Sequence, residues 1–201
     1  MNSLLLPNLP GLEVSDTVTI LLLITILSIA PAILVLMTCF TRIVIVLGFV
    51  RTALSTQYMP PNQVLIGLAL FMSMFVMAPT LAEVNERALQ PLFAGELSQS
   101  EALDEAVIPL KDFMASHTRE KDLKLFLSYA NAPQPGNVQE IPLTVLVPAF
   151  AISELKTAFQ MGFMIFIPFL VIDMVVASVL MSMGMMMLPP VMISLPFKIL
   201  L

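Results

Sequence analysis

Apolar and polar positions fall into long blocks along this chain rather than into a fine alternation. Val18 to Met37, VTILLLITILSIAPAILVLM, carries no charge over twenty residues. Its Leu and Ile content favours insertion into a bilayer, and Pro31, which removes one i to i−4 bond, should kink it. A mixed stretch follows, TCFTRIVIVLGFVRTALSTQYMPPNQ, with Arg42 and Arg51 nine residues apart. That is two and a half turns, so the two cations stand on opposite sides of a continuous helix. Pro60 and Pro61 should end that helix, because the residue before a proline is pushed out of the helical region. Val64 to Ala82 is uncharged again. Its nine strongly apolar residues, at about −0.3 to −0.6 kcal/mol each, give roughly −3 to −5 kcal/mol toward insertion.

From Glu83 to Glu140 the pattern becomes that of a soluble loop or small helical subdomain. Ser98-Gln99-Ser100-Glu101 fits a capping box, with Ser98 as cap and Glu101 reaching back to it. Ala106, Leu110, Phe113 and Met114 then recur at helical spacing. Thr118 is expected to cap a second helix, with Leu123, Phe126, Leu127 and Ala130 as its apolar stripe. The run NAPQPGN, Asn131 to Asn137, predicts a turn. Two short amphipathic helices cannot make a core alone, so their stripes must pack on each other and on a neighbour, in this copy or another.

From Ile141 the chain is apolar once more. Ile165 to Phe197, IFIPFLVIDMVVASVLMSMGMMMLPPVMISLPF, carries a single charge, Asp173, and prolines at 168, 189, 190 and 196. Such a segment suits a membrane-associated helical hairpin, broken by prolines where two helices meet. Between Phe166 and Leu188 eleven strongly apolar residues give roughly −3 to −7 kcal/mol, against about +2.5 to +3.5 for Asp173. Insertion wins by a reduced margin, which predicts that Asp173 faces protein or water. Each half of the chain thus follows a helix, Pro-Pro, helix plan. The expected fold is all-α, with membrane-associated hairpins, proline-broken helices and a small helical extracytoplasmic region. Three regions are expected: an N-terminal apolar hairpin at 1–82, a charged helical region at 83–140, and a C-terminal apolar hairpin at 141–201.

Composition sharpens the picture. Of 201 residues 58% are hydrophobic and 11% charged, against about a quarter charged in a typical soluble domain, which makes this an integral membrane chain. Ten acids and five bases lie between Glu83 and Glu140, and the four acids elsewhere balance four bases. The whole net charge of −5 therefore sits in the middle region, and no basic patch for nucleic acid exists. Positive residues in short loops stay cytoplasmic. The loop after Arg42 and Arg51 is then inside, the N-terminus and the middle region outside, and the second Pro-Pro tip inside. The opening MNSLLLPNLPGLEVSD lacks a basic n-region and a small-residue cleavage site and does not read as a signal peptide.

No catalytic constellation is found: Asp173 has no paired acid, and neither a zinc motif nor a phosphate-cradling glycine loop occurs. No enzyme, cofactor or metal is expected. Cys39, the only cysteine, reads as a small buried thiol, and His117, the only histidine, as an ordinary polar surface residue. Asp173 has two readings: a proton or ion relay, or a buried ion pair with Lys198, Arg51 or Arg42. The run Met185-Met186-Met187, with Met181, Met183 and Gly184 before it, also has two. Three consecutive methionines on a helix point in three directions, so beside Gly184 and Pro189-Pro190 the run reads as a break. Unbranched, polarizable Met can close around an irregular object; a deformable seal and plain apolar filling both fit.

The blocks TRIVIVLGFVRTALSTQYMPPNQVLIGLALF (41–71), SELKTAFQMGFMIFIPFLVIDMVVASVLMSMGMMMLPP (153–190) and ISLPFKILL (193–201) closely resemble the FliP/SctR family of type III secretion export-gate proteins, over nearly the whole chain. GMMMLPP resembles its flagellar branch more than its injectisome branch. The resemblance implies a non-enzymatic, pore-forming subunit of the flagellar export gate in the basal body at the bacterial inner membrane, with the middle region periplasmic. It implies a helical ring of five copies with FliR, joined by FliQ, with FlhB docking on that core and unfolded flagellar proteins in transit. Met185, Met186 and Met187 are then the gasket of the pore, supported by Met181, Met183 and Gly184. Arg42, Arg51, Asp173, Lys198, Glu154 and Lys156 are buried or interface charges, and Pro60, Pro61, Pro189 and Pro190 mark hairpin tips. It also implies that the apolar hairpins pack largely on other subunits, in an assembly raised toward the periplasm. Members of the family usually carry a cleaved leader and continue beyond the position of Leu201. An ion or small-solute channel or transporter working through Asp173, and a scaffold that only nucleates assembly, are the competing functions.

Overall fold

The computed structural model describes residues 16–56, 59–133, 135–185 and 187–200. Every regular element among them is helical, as the block pattern predicts. The chain divides into two units, Met1–Leu34 and Val35–Leu201.

Helix α1, Asp16–Met37, is continuous through Pro31. In the first unit Thr25 donates its hydroxyl to the Leu21 carbonyl and Ser28 to that of Thr25, each at 2.8 Å. Back-bonding of this kind satisfies a hydroxyl inside an apolar helix.

In the second unit, α2 (Phe40–Ala53) lies against both α3 (Asn62–Val84) and α7 (Leu143–Ser182). The stripe that α3 buries is Leu65, Ala69, Ser73 and Met77, one residue every four, which is one face of a helix. Its other face leaves large apolar side chains such as Phe71 and Phe75 exposed. Cys39 is buried beside it, its thiol 3.6 Å from the Ser73 hydroxyl. Helix α3 continues through a π turn, Asn85–Leu89, into α4, Gln90–Ala94, so the helix crosses the change in composition at 82–83 without a break. Gly95 (φ 75°) ends it in the left-handed conformation, where glycine carries no Cβ penalty.

Helix α5, Gln99–His117, starts with the expected capping box: the Ser98 hydroxyl accepts from the Glu101 amide, and the Glu101 carboxylate accepts from the Ser98 amide. Thr118 does not cap the next helix. It closes α5, donating to the Met114 carbonyl at 2.7 Å, and Arg119 takes the cap position of α6, Glu120–Tyr129. Met114 and Leu127 enter the core with Ile141, Val145, Leu146 and Phe150, while Leu110, Phe113, Leu123 and Phe126 pack around them. The neighbour that completes this core is thus the first part of α7. His117 is half-buried, its ring tilted over Phe113 with centroids 4.5 Å apart.

Helix α7 is 40 residues long and runs through Pro148 and Pro168; at 1.5 Å per residue it measures about 60 Å, twice the hydrocarbon core of a bilayer. Among the described residues, Asn62–Ala94 and Leu143–Ser182 are long and apolar enough to cross a membrane, and the bent pair Pro31–Met37 with Phe40–Ala53 makes a third candidate. Gly162 admits the ring of Phe49 where α2 meets α7: a Cβ there would stand 2.3 Å from the Phe49 ring.

Both Pro-Pro pairs lie where one helix gives way to the next, but they begin helices rather than end them. Helix α2 stops at Ala53, Ser55 is left-handed (φ 60°), and Pro61 caps α3. Helix α7 stops at Ser182, Gly184 is left-handed (φ 76°), and Pro190 opens α8, Pro190–Leu200. A first-turn proline lacks only an N–H that the helix would leave unbonded, and its fixed φ suits a helix start. Pro168 and Pro196 lie inside α7 and α8.

Candidate functional site

The methionine run begins where α7 stops. The Gly184 amide donates to the Met181 carbonyl at 3.1 Å and the Met185 amide to the Leu180 carbonyl at 3.0 Å. With Gly184 left-handed, this pair of bonds is the Schellman arrangement that closes a helix and turns the chain away from its axis. Met183 and Met185 therefore leave the helix instead of continuing its stripe. Met181, Met183 and Met185 are exposed, and Met187 is completely so. Met186 lies outside the described residues. Its described methionines, Met183, Met185 and Met187, present thioethers between the end of α7 and Pro189-Pro190, whose second member opens α8.

The charges of the apolar segments gather elsewhere, between helices. Arg42 on α2 grips Glu154 on α7: its Nε donates to Oε2 at 2.6 Å and its Nη2 to Oε1. Glu154 is buried, so the pair replaces by two directed hydrogen bonds the water its carboxylate loses. Arg51, at the other end of α2, donates from Nη1 to the Asn62 Oδ1 at 2.6 Å and the Pro60 carbonyl at 3.3 Å. It thereby ties the end of α2 to the start of α3.

Asp173 meets Lys198, and neither Arg42 nor Arg51. The Lys198 ammonium donates to Asp173 Oδ2 at 2.7 Å and to the Ser55 hydroxyl at 2.6 Å, while Ser194 donates to Asp173 Oδ1. Lys198 and Ser194 are buried, and Asp173 is partly so. Three segments, α7, α8 and the link after α2, are joined through one carboxylate and one ammonium.

Lys156 has a different partner from Glu154 although the two are neighbours in sequence. It pairs with Asp122, a buried residue of α6. The Ser153 hydroxyl donates to Asp122 Oδ2 at 2.9 Å and accepts from the Arg119 amide at 3.0 Å. Arg119 reaches on to Thr157 and Gln160. The hydrogen bond from Lys156, aided by that from Ser153, holds the Asp122 carboxyl below its ordinary range against the opposing effect of burial. Asp122, Ser153 and Arg119 were not singled out by the sequence. Asp122 sits in the first turn of an amphipathic helix, where acids are ordinary; the tight clustering of Ser153, Glu154 and Lys156 in an apolar run was the one available hint.

Among the described residues no three His, Cys, Asp or Glu side chains converge. The exposed thioethers of Met183, Met185 and Met187 lie after the end of α7, whereas these ion pairs join α7 to α2, α6 and α8.

The sequence pattern of the FliP family matches residues 23–201. The chain is 70% identical over 189 residues to the flagellar biosynthetic protein FliP of Bacillus subtilis, covering 94% of this chain and 86% of that one. It is 50% identical over 188 residues to the protein of the same name from Aquifex aeolicus, covering 92% of this chain and 79% of that one. With the one from Pectobacterium carotovorum it shares 51% identity over 196 residues, 98% of this chain and 76% of the relative.

Proposed function

The chain belongs to the FliP family, and from that premise we propose that it acts in flagellar biosynthesis as a pore-forming subunit of the type III protein export gate. Five copies form a helical ring with FliR and FliQ, FlhB docks on that core, and unfolded flagellar proteins pass through it. The assembly sits at the bacterial inner membrane in the flagellar basal body, with residues 83–140 on the periplasmic side.

One observation carries this reading: α7 ends in a Schellman turn and delivers Met183, Met185 and Met187 to the surface. Apolar side chains displayed together at a turn need a cover. Copies of the same turn around an axis supply one, and flexible thioethers yield to a passing chain and close behind it. The described ends of the turn are set by the cap at Gly184 and by the helix start at Pro190. The alternative, an ion or small-solute transporter working through Asp173, has less support, because Lys198 and Ser194 already engage that carboxylate.

The test is membrane conductance in cells carrying Met185→Ala, Met186→Ala and Met187→Ala together. A gasket predicts ion leak with the complex still assembled by mass after detergent extraction. Unchanged conductance in an assembled complex overturns the gate.

A further inference from the structure

Gly48 lies in the middle of α2, and a Cβ built on it meets nothing within 4 Å. Gly162, by contrast, makes room for Phe49. Mid-helix glycine is unfavourable, so Gly48 has no justification in the packing of this chain. The space it leaves open is a cleft of about 420 Å³ walled by Ile45, Phe49, Phe163 and Phe166 of α2 and α7. That cleft meets a second, polar one of about 360 Å³, bounded by Ser55, Thr56, Asp173 and Lys198. Arg51, Thr52 and Phe166 line both.

The two clefts differ in chemistry. In the polar one Lys198 is neutralised by Asp173, which leaves Arg51 with a net positive charge that no carboxylate meets among the described residues. Only its Nη1 is engaged there, so one edge of the guanidinium still has donors. Thr52 and Thr56 spend their protons on the Gly48 and Arg51 carbonyls. Ser55 accepts from Lys198 and so keeps its own proton to donate. A cation and a hydroxyl donor at one end of an apolar trough, between helices of a membrane chain, match an anion with a hydrocarbon tail. Basic pockets between membrane helices are suited to acidic lipid head groups, and guanidinium is the side chain that best grips phosphate.

We propose that this composite cleft binds one anionic glycerophospholipid, its phosphate held by Arg51 and Ser55 and an acyl chain lying over Gly48 between Phe49 and Phe163. The site requires that this face of α2 and α7 lies against lipid and not against another subunit, and no methionine of the turn lines it. Its occupant would fill the space that Gly48 leaves and neutralise Arg51.

The experiment is native mass spectrometry of the full chain, purified in neutral detergent and titrated with phosphatidylglycerol, with phosphatidylcholine of the same acyl chains, and with glycerol 3-phosphate. The expected result is one retained phosphatidylglycerol, bound more tightly than phosphatidylcholine, with no displacement by glycerol 3-phosphate at equal concentration. Arg51→Gln should abolish the preference, an affinity loss of about tenfold or more for a charge-assisted contact, and Arg51→Lys should keep part of it. Gly48→Leu, which fills the trough and leaves the charge in place, should weaken both lipids and is informative even if Arg51→Gln fails to fold. Equal binding of the two lipids, or full competition by glycerol 3-phosphate, overturns the site as proposed. So does a Gly48→Leu protein whose oligomer mass changes while its lipid adducts do not, because a protein helix then occupies the trough.

Discussion

Arg42 and Glu154, 112 positions apart, form a two-pronged ion pair that fastens α2 to α7. Glu154 is almost wholly buried, so its charge is tolerable only while the guanidinium is present. Removing one member should therefore cost more than removing both. Arg42→Ala alone is expected to destabilise the protein by about 3–5 kcal/mol, and Arg42→Met with Glu154→Leu to recover most of that. Arg42→Lys should behave more like the alanine variant than like the native protein, since an ammonium cannot reproduce the fork. Thermal unfolding in detergent, arranged as a double-mutant cycle, measures this; additive losses would show that the pair is not coupled.

The same helix contact contains a steric prediction. The Phe49 ring occupies the place of the missing Gly162 side chain and meets Phe159 edge-on, with centroids 5.7 Å apart. Because the ring carbon next to its Cβ also crowds the site, Phe49 cannot escape by swinging its far end. Gly162→Ala should cost about 1–3 kcal/mol, as overpacking does, although alanine is the better helix former. Phe49→Leu should relieve most of that cost. If Gly162→Ala alone raises the unfolding temperature, α2 and α7 are not this close.

Acid should loosen α6 from α7. The Asp122 carboxyl is held below its ordinary value chiefly by Lys156. A carboxyl with a depressed folded-state pKa contributes stability that is fully present above its unfolded value, about 3.9, and is lost as pH falls through the folded value. Stability from this contact should therefore be flat at neutral pH and decline below about pH 4. Asp122→Asn should lower stability at neutral pH and flatten that acid decline. Hydrogen exchange of the α6 amides between pH 3 and 6, corrected for intrinsic rates, reads the difference; an unchanged acid limb in the variant excludes Asp122 as its source.

What the sequence discloses about this molecule depends on range. The Ser98 capping box closes over three residues, and the stripes containing Met114 and Leu127 repeat within two turns, so both could be read directly. The same holds for the Met185 break, because Gly184 and the Pro-Pro pair flank it. Whether Pro60-Pro61 ends one helix or starts the next is not decided by local preference alone, since proline restricts the residue before it and also suits a first turn. The left-handed Ser55 settled the matter by closing α2 earlier. Thr118 stands one step before the cap for a related reason: a threonine hydroxyl serves a helix start or bonds back to the preceding turn, and here it reaches Met114. Asp122 and Arg119 carry no local signal, and Ser153 only its place in a polar cluster, because their contacts cross 31 to 34 positions. Gly162 and Gly48 look alike in sequence, and only the presence or absence of a neighbour separates them.

Asp173 offers the sharpest distinction between structure and transport. Its carboxylate receives Lys198 and Ser194, and Lys198 in turn holds Ser55 beyond the end of α2. If the role of the pair is to join α7, α8 and that link, the geometry matters and the titration does not. Asp173→Asn should then be the more damaging of the two single changes, because it leaves the buried Lys198 ammonium without its counter-charge. Lys198→Met should be milder, since the partly exposed Asp173 carboxylate still accepts from Ser194 and keeps access to water. The double variant Asp173→Asn with Lys198→Met should recover assembly relative to Asp173→Asn alone, as neutral replacement of an ion pair commonly does. Extracted complex mass and thermal stability give the ranking, and motility and ion conductance give the function. A relay predicts the opposite dissociation: Asp173→Asn would leave mass and stability intact and remove only proton-coupled activity. Lys198→Gln separates the two further, because it keeps a donor for Asp173 and Ser55 but removes the charge. Near-normal assembly with that variant would show that hydrogen bonds suffice at this junction.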